Sequence, residues 1–171
     1  NHVYILGAGG HTRSLINLVD QNKVMISGIY DDSCKETENE TIMGYSVIGR
    51  FSDLPEQGSV ILSFGNNYQR LTFFQSYFDR LHMENLIHPF AIIESKSILG
   101  FSNQVFARAY INSEVKIGDN NIINTGAILE HEVSIGSHNH ISVGAIVCGR
   151  VKIGNNCFIG AGAVLIDKLT I

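Results

Sequence analysis

The sequence predicts two kinds of structure in one chain, an α/β domain followed by a parallel β-helix of six-residue repeats. The second half carries the stronger signal, because an aliphatic residue recurs at every sixth position from Ile93 to Ile171. A fixed period of six indicates a β-helix, since helices show a period of about 3.6 and ordinary strands about 2. A second period of eighteen predicts three repeats per coil, and it is marked by Ala91, Ala109, Ala127, Ala145 and Ala163.

Two other residue types follow the same eighteen-residue period. One column contains Asn103, Asn121 and Asn139, and another contains Gly100, Gly118, Gly136 and Gly154. Each coil of a three-sided prism stacks on the next at strand spacing, about 4.8 Å, so the inward aliphatic side chains should contact their copies above and below. The glycine column predicts a recurrent turn that requires positive φ.

The first 88 residues show the pattern of an α/β domain. Helical spacing of apolar residues predicts helices over 12–21 and 68–81. Short apolar runs predict strands over 2–6, 24–30, 45–48, 59–64 and 85–87. Strands that alternate with helices form parallel βαβ units, so we expect a Rossmann-like domain over 1–88 and the β-helix over 89–171.

Composition limits the possible partners and compartments. The net charge is −4 and no basic stripe is present, so nucleic acid is not an expected partner. No apolar run reaches membrane-spanning length and no signal peptide is visible, so no membrane association is expected. Cys34, Cys148 and Cys157 follow neither disulfide nor metal spacing, which predicts a reducing, cytoplasmic compartment. The polar segment 36–41 predicts a mobile loop, and further coils are expected after Ile171, which falls inside a repeat.

Polar turns follow three strands of the predicted sheet. Ligands of parallel sheets bind beyond the carboxyl ends of the strands, so these turns predict a binding pocket. Its candidate residues are Gly7, Gly9, Gly10, His11, Asp31, Asp32, Gly65 and Asn66. The first turn matches only part of G-x-G-x-x-G, because Thr12 replaces the third glycine. Phosphate binding at the helix N-terminus and a tight turn without a ligand both remain open, and both are favoured over an NAD site.

A histidine between two carboxylates is the main chemical candidate in the β-helix. The six-residue phase places His131 outside the prism near a corner, with Gly149 one coil further along the same edge. An imidazole beside a carboxylate can accept a proton near neutral pH. Glu132 is the first candidate for that carboxylate and Glu130 the second. A surface histidine without a function is the alternative.

Two further histidines lie close in sequence. His131, His138 and His140 could supply three imidazoles to a metal, but nothing else completes such a site, and no metal is predicted. His140 precedes the inward Ile141 on a different face from His131. The two histidines can therefore approach each other only between neighbouring prisms, which predicts a homotrimer.

Together these segments resemble one family of enzymes. The motifs are I-L-G-A-G-G-H, D-D, G-N-N, N-T-x-x-x-x-E-H-E and H-x-S-V-G. They are similar to those of the PglD/NeuD-type hexapeptide-repeat acetyltransferases, which act on nucleotide-linked 4-amino sugars or on sialic acid. The resemblance implies a left-handed β-helix, a trimer with sites between prisms, and acetyl-CoA as co-substrate.

The resemblance also implies a role for each matching residue. His131 matches the general base, and Glu132 matches the carboxylate that orients it. Gly149 matches the glycine whose N–H faces the thioester oxygen of acetyl-CoA. Asn124 matches an asparagine of the acceptor site, and His140 matches a histidine that contacts acetyl-CoA. The polar turns of the first domain match the nucleotide-sugar pocket.

Three functions are consistent with the sequence. The leading hypothesis is N-acetylation of the 4-amino group of a nucleotide-linked (UDP, dTDP or GDP) 4-amino-4,6-dideoxyhexose for a glycan such as lipopolysaccharide or O-antigen. The alternatives are O-acetylation of sialic acid and a non-catalytic β-helix assembly module. Tight binding of coenzyme A would separate an enzyme from an assembly module. The polar segment after Asp32 leaves the nucleotide base undetermined.

Overall fold

The computed structural model describes residues 2–34 and 40–171. The chain divides into two compact units between Glu84 and Asn85. Each unit has its own apolar core, one made by the layers of an α/β domain and the other by the interior of a β-helix.

The first unit is a five-stranded sheet with two α-helices. Its elements are β1 (His2–Leu6), α1 (Gly10–Gln21), β2 (Met25–Tyr30), β3 (Thr41–Ile42), β4 (Tyr45–Gly49), a 3-10 turn (Phe51–Asp53), β5 (Val60–Leu62) and α2 (Asn67–Tyr77). The strand order is β3-β4-β2-β1-β5, with β3 antiparallel and the others parallel. The predicted α/β fold is confirmed. After β1 the chain adds β2 and β4 on one side of this strand and then β5 on the other, so the strand order reverses between β1 and β5. At such a reversal the carboxyl ends of the two strands flank a crevice.

The helices agree with the sequence to different degrees. The predicted apolar face of α1 is buried, and it comprises Leu15, Ile16, Leu18 and Val19. The predicted face of α2 is wrong in part, since Phe78 lies beyond the helix and is 38% exposed.

Arg70 of α2 is completely buried, although its side chain is charged. Its Nη1 donates to the carbonyl of Phe64 at 3.0 Å and its Nη2 to Oδ1 of Asn67 at 2.9 Å. Burial lowers the pKa of the Arg70 guanidinium to about 10, so it remains charged at neutral pH.

The predicted loop over 36–41 falls mostly on residues 35–39, which lie outside the described residues. Its last residue is described and corrects the prediction. Thr41 belongs to β3, because it pairs with Ser46 of β4 in an antiparallel ladder.

The second unit is a prism of two-residue parallel strands. They are β6 (Leu86–Ile87), β7 (Ile92–Ile93), β8 (Ile98–Leu99), β9 (Gln104–Val105), β10 (Tyr110–Ile111), β11 (Lys116–Ile117), β12 (Ile122–Ile123), β13 (Ile128–Leu129), β14 (Ser134–Ile135), β15 (His140–Ile141), β16 (Ile146–Val147), β17 (Lys152–Ile153), β18 (Phe158–Ile159) and β19 (Val164–Leu165). They form three sheets, β7-β10-β13-β16-β19, β8-β11-β14-β17 and β6-β9-β12-β15-β18. The second residue of each strand faces the core, as the six-residue period predicts. The strand predicted over 85–87 belongs to this prism, because Leu86 pairs with Gln104.

The turns of the prism correct one prediction. Positive φ recurs at every sixth residue from Lys96 to Lys168, with values between 55° and 69°. The predicted glycine column is not part of this set. Gly118 is needed for close packing instead, since a Cβ there would lie 2.6 Å from Oγ of Ser137 and 2.8 Å from the carbonyl oxygen of Gly136.

The predicted asparagine column forms a ladder at one corner of the prism. Oδ1 of Asn103 accepts from the N–H of Asn121 at 2.9 Å, and Oδ1 of Asn121 accepts from the N–H of Asn139 at 2.8 Å. Asn85 begins the ladder by accepting from the N–H of Asn103 at 2.7 Å. Buried amides require such partners, so the ladder favours the eighteen-residue register over a slipped one.

Candidate active site

The first unit contains a cavity of about 630 Å³ at the carboxyl ends of β1 and β5. Its lining includes seven of the eight predicted pocket residues, namely Gly7, Gly9, Gly10, His11, Asp31, Asp32 and Gly65. Asn66 is outside the lining. Its Oδ1 caps α2 by accepting from the N–H of Gln69 at 3.0 Å.

An aromatic wall of the cavity was not predicted. Phe64 and Phe73 stack with ring centroids 4.4 Å apart, and Phe51 meets Phe73 edge-on at 4.6 Å. All three rings line the cavity. The position of Phe64 directly before the Gly65 turn could have indicated it. Such a wall offers a planar, apolar surface beside the polar turns.

The glycine turn is not arranged as a dinucleotide site. Oδ2 of Asp31 accepts from the N–H of Ala8 at 2.7 Å, so a carboxylate occupies the donor that a phosphate would use. Thr12 is fully buried, and its hydroxyl donates to the carbonyl of Gly7 at 3.0 Å while it accepts from Oγ of Ser63 at 2.8 Å. These contacts argue against a phosphate cradle at Ala8.

His131 and Glu132 form a pair at a corner of the prism, after β13. Nδ1 of His131 lies 3.0 Å from Oε2 of Glu132, and the side chains are 47% and 49% exposed. Glu132 has a φ of 60°, and this left-handed turn brings adjacent side chains together that a flat strand would separate. Because a carboxylate accepts, Nδ1–H donates to Glu132, and in the neutral imidazole the lone pair is on Nε2. Glu130 has another partner, since it accepts from Nδ2 of Asn112 at 2.7 Å.

Gly149 lies one coil beyond His131. A Cβ at this position would lie 2.7 Å from both Cε1 and Nε2 of the His131 ring, and 2.9 Å from Oδ1 of Asp167. The imidazole therefore packs on a backbone that tolerates no side chain. Within the described residues the Gly149 N–H has no acceptor, so it is available as a donor.

His140 is buried, although the next residue, Ile141, is the one that faces the core of the prism. It is 7% exposed, lies on β15 in a different sheet from β13, and meets the ring of Phe158 edge-on at 5.0 Å. Oδ1 of Asn124 accepts from the N–H of Thr125 at 2.8 Å, which directs Nδ2 toward Nε2 of His140, 3.0 Å away. The structure thus joins two predicted site residues in one contact.

The three-histidine arrangement is not formed. Nδ1 of His138 lies 2.8 Å from Nδ2 of Asn120, at a separate corner from His131. Over residues 2–34 and 40–171, no group of three His, Cys, Asp or Glu side chains is placed to hold a metal ion. The described helices are also too short or too polar to cross a membrane.

Family models match both units of the chain. Residues 2–77 match the PglD N-terminal domain, and residues 132–167 match the bacterial transferase hexapeptide of six repeats. A search of curated proteins found no match.

Solved structures with the same architecture extend this result. The acetyltransferase domain of PglB from Neisseria gonorrhoeae is 28% identical, with a TM-score of 0.89 over 99% of this chain and 84% of that chain. PerB from Caulobacter crescentus, in complex with CoA and GDP-perosamine, is 27% identical, with a TM-score of 0.82 over 99% and 91% of the two chains. A histidine-to-asparagine variant of perosamine N-acetyltransferase from the same organism is 26% identical, with a TM-score of 0.81 over 99% and 90%.

An α/β domain of the PglD type joined to a hexapeptide prism defines an acyltransferase. These matches support a PglD-type acetyltransferase family, and the predicted left-handed parallel β-helix is confirmed.

Proposed function

We propose that the protein transfers the acetyl group of acetyl-CoA to the 4-amino group of a nucleotide-linked 4-amino-4,6-dideoxyhexose. The observation that carries this proposal is the His131–Glu132 pair, with Nε2 of His131 packed over Gly149. A related enzyme is described as a perosamine N-acetyltransferase in complex with CoA and GDP-perosamine, which supports this class of substrate. The activity would serve the biosynthesis of a glycan such as lipopolysaccharide or O-antigen, in the cytoplasm.

The chemistry follows from the tautomer of His131. The neutral amine attacks the thioester carbon, a C–N bond forms and Nε2 takes a proton from the nitrogen. Glu132 stabilises the resulting imidazolium through Nδ1–H. The N–H of Gly149 stabilises the oxyanion, a contribution of about 3 kcal/mol for one such donor. The C–S bond then breaks, and the departing thiolate takes the proton from His131.

The contact between Asn124 and His140 supports a joint role for these two residues. Nδ2 of Asn124 donates to Nε2 of His140, which in a neutral imidazole places the ring proton on Nδ1. We assign Asn124 to the acceptor side and His140 to the acetyl-CoA side of this contact.

The cavity of the first unit is the proposed site for the nucleotide. Its phenylalanine wall suits a flat base, and its carboxylates suit the N–H or O–H groups of a nucleoside.

The variant Asp32→Asn tests this site. In the wild type, Oδ1 of Asp32 accepts from the N–H of Phe51 at 3.1 Å, and the variant keeps that oxygen while it removes the charge. We expect steady-state kinetics to show a higher KM for the sugar nucleotide and an unchanged KM for acetyl-CoA. If neither KM changes, the nucleotide binds elsewhere.

An apolar prism face supports the proposed homotrimer. The outward residues of the sheet that contains β13 are Ile92, Tyr110, Ile128, Ile146 and Val164. Ile92 is 55% exposed and Val164 58% exposed, and such a patch typically marks an interface.

Light scattering should give three chains for the wild type, and Ile146→Glu should dissociate them, whereas Ser134→Glu on a polar face should not. A fully active monomer would contradict a site shared between prisms.

A substrate panel tests the whole proposal. Release of the CoA thiol would be measured with UDP-, dTDP- and GDP-linked 4-amino-4,6-dideoxyhexoses, and with sialic acid. Turnover of one amino sugar nucleotide is the expected result. Turnover of sialic acid alone would establish O-acetylation instead. Absence of CoA binding by calorimetry would leave only an assembly role.

A further inference from the structure

Asp167 shares the space over Gly149 with His131. His131, Gly149 and Asp167 occupy one column of the prism, because successive members are eighteen residues, or one coil, apart. The position of a Cβ on Gly149 lies 2.7 Å from Nε2 of His131 and 2.9 Å from Oδ1 of Asp167. Nε2 of His131 and Oδ1 of Asp167 therefore cannot be farther apart than the sum of these two distances. Oδ1 of Asp167 and Nε2 of His131 therefore both border the space over Gly149.

The other oxygen of Asp167 is held by two cations. Oδ2 lies 3.6 Å from Nη2 of Arg150 and 4.0 Å from Nζ of Lys168. The side chain of Asp167 is 45% exposed, so these ion pairs contribute little stability, but they orient the carboxylate. Oδ1 is thereby directed to the space over Gly149 and remains accessible to a small ligand.

This geometry suits the binding of an amine acceptor. An aliphatic amine is largely protonated at neutral pH, so it arrives as a cation that a carboxylate can bind before a proton is lost. Glu132 cannot bind the ammonium beside Nε2, because it is bonded to Nδ1 on the other side of the ring. We propose that Asp167 binds the ammonium group of the acceptor beside Nε2 of His131 and so makes the site selective for amines over hydroxyls. This inference rests on the proposed function.

The ammonium group carries the two protons that are lost in this step. The ammonium bound by Asp167 releases one proton to water and becomes the attacking amine. The second proton leaves the nitrogen as the C–N bond forms, passes to Nε2 and then to the departing thiolate. Asp167 remains a carboxylate throughout, and its role is to bind the acceptor and position it.

Asp167→Asn tests the role with a change of charge and almost none of shape. For the amino sugar nucleotide that the wild type acetylates, we expect kcat/KM at pH 7 to fall about tenfold. Loss of a half-exposed charge-assisted hydrogen bond typically has an effect of this size. The loss should appear mainly in the KM of the acceptor, shrink at high salt, and shrink again as the pH rises through the pKa of the amine. The KM of acetyl-CoA and the melting temperature should not change.

Two control variants separate this role from others. Asp79→Asn removes the same charge from the exposed turn after α2 and should leave the kinetics unchanged. Arg150→Gln removes one of the two cations that orient Asp167 but keeps the carboxylate and Lys168, so it should raise the acceptor KM less than Asp167→Asn does. A loss in Arg150→Gln equal to that in Asp167→Asn would show that the ion pair is structural and would overturn the inference.

The inference and the proposed function can fail separately. If the wild type acetylates an amino sugar nucleotide and Asp167→Asn does so equally well at pH 7, the role of Asp167 is wrong and the function stands. A pH-independent loss in Asp167→Asn would equally reject ammonium binding. If the wild type acetylates none of the amino sugars, the proposed function fails and the inference fails with it.

Discussion

Replacement of His131 by alanine is expected to lower kcat by about 10²–10⁴-fold at neutral pH, which is the usual contribution of a general base. The melting temperature should stay close to that of the wild type, because the side chain is 47% exposed and its removal leaves no cavity. Activity and thermal unfolding of the same preparation provide the measurement. Loss of activity together with a large fall in melting temperature would indicate a structural histidine.

A pH series on His131→Ala also reports on the acceptor. Raising the pH through the pKa of an amine supplies neutral nucleophile without a base, so the deficit of the variant should shrink. A hydroxyl has a far higher pKa and would show no such recovery. Full activity of the variant at pH 7 would remove His131 as the base, whichever acceptor is used.

Replacement of Gly149 by alanine is expected to lower kcat by about 10²-fold, although it adds only one methyl group. The new Cβ would lie 2.7 Å from the His131 ring, so the imidazole must move, and misplacement of a reacting group by about 1 Å costs this much. The backbone N–H is retained, so the loss would report on the position of the base. Kinetics of the variant at saturating substrate provide the measurement.

Two comparisons make the Gly149→Ala result interpretable. Gly160→Ala adds a methyl group where no atom lies within 4 Å, and it should behave as the wild type. The double variant His131→Ala/Gly149→Ala should be no slower than His131→Ala alone, because the group that is displaced is already absent. Additive losses would mean that Gly149 acts independently of His131.

The periodic part of the fold could be predicted because one rule repeats. An inward aliphatic every sixth residue and a coil of eighteen residues determine which residues stack, and the structure confirms this from Val105 to Ile159. The same rule places Gly149 over His131 before any coordinates are known. The rule also places Asp167 in that column, two coils after His131. Asp167 was not predicted as a site residue, because no motif in its local sequence pointed to it.

The contacts that depend on side-chain direction could not be predicted in the same way. Glu132 was the first candidate partner of His131 and Glu130 the second, but the physical reason lies in the left-handed φ of Glu132, which turns its carboxylate onto Nδ1. The six-residue phase places His140 outside the prism core, yet it is buried against Asn124 and Phe158. Such outcomes depend on the coils above and below, which a local pattern does not describe.

Residue spacing was enough to predict the two architectures, the column of His131 and Gly149, and the strand ends that carry the pocket. Spacing is informative here because repeats and alternating units keep it when the chain folds. The folded structure was needed to show that Asp31 accepts from the Ala8 N–H and that Arg70 is buried and donates to the Phe64 carbonyl. The physical reason is that buried polar groups take whichever partners the fold brings to them, and those partners lie far away or in directions that the sequence does not encode.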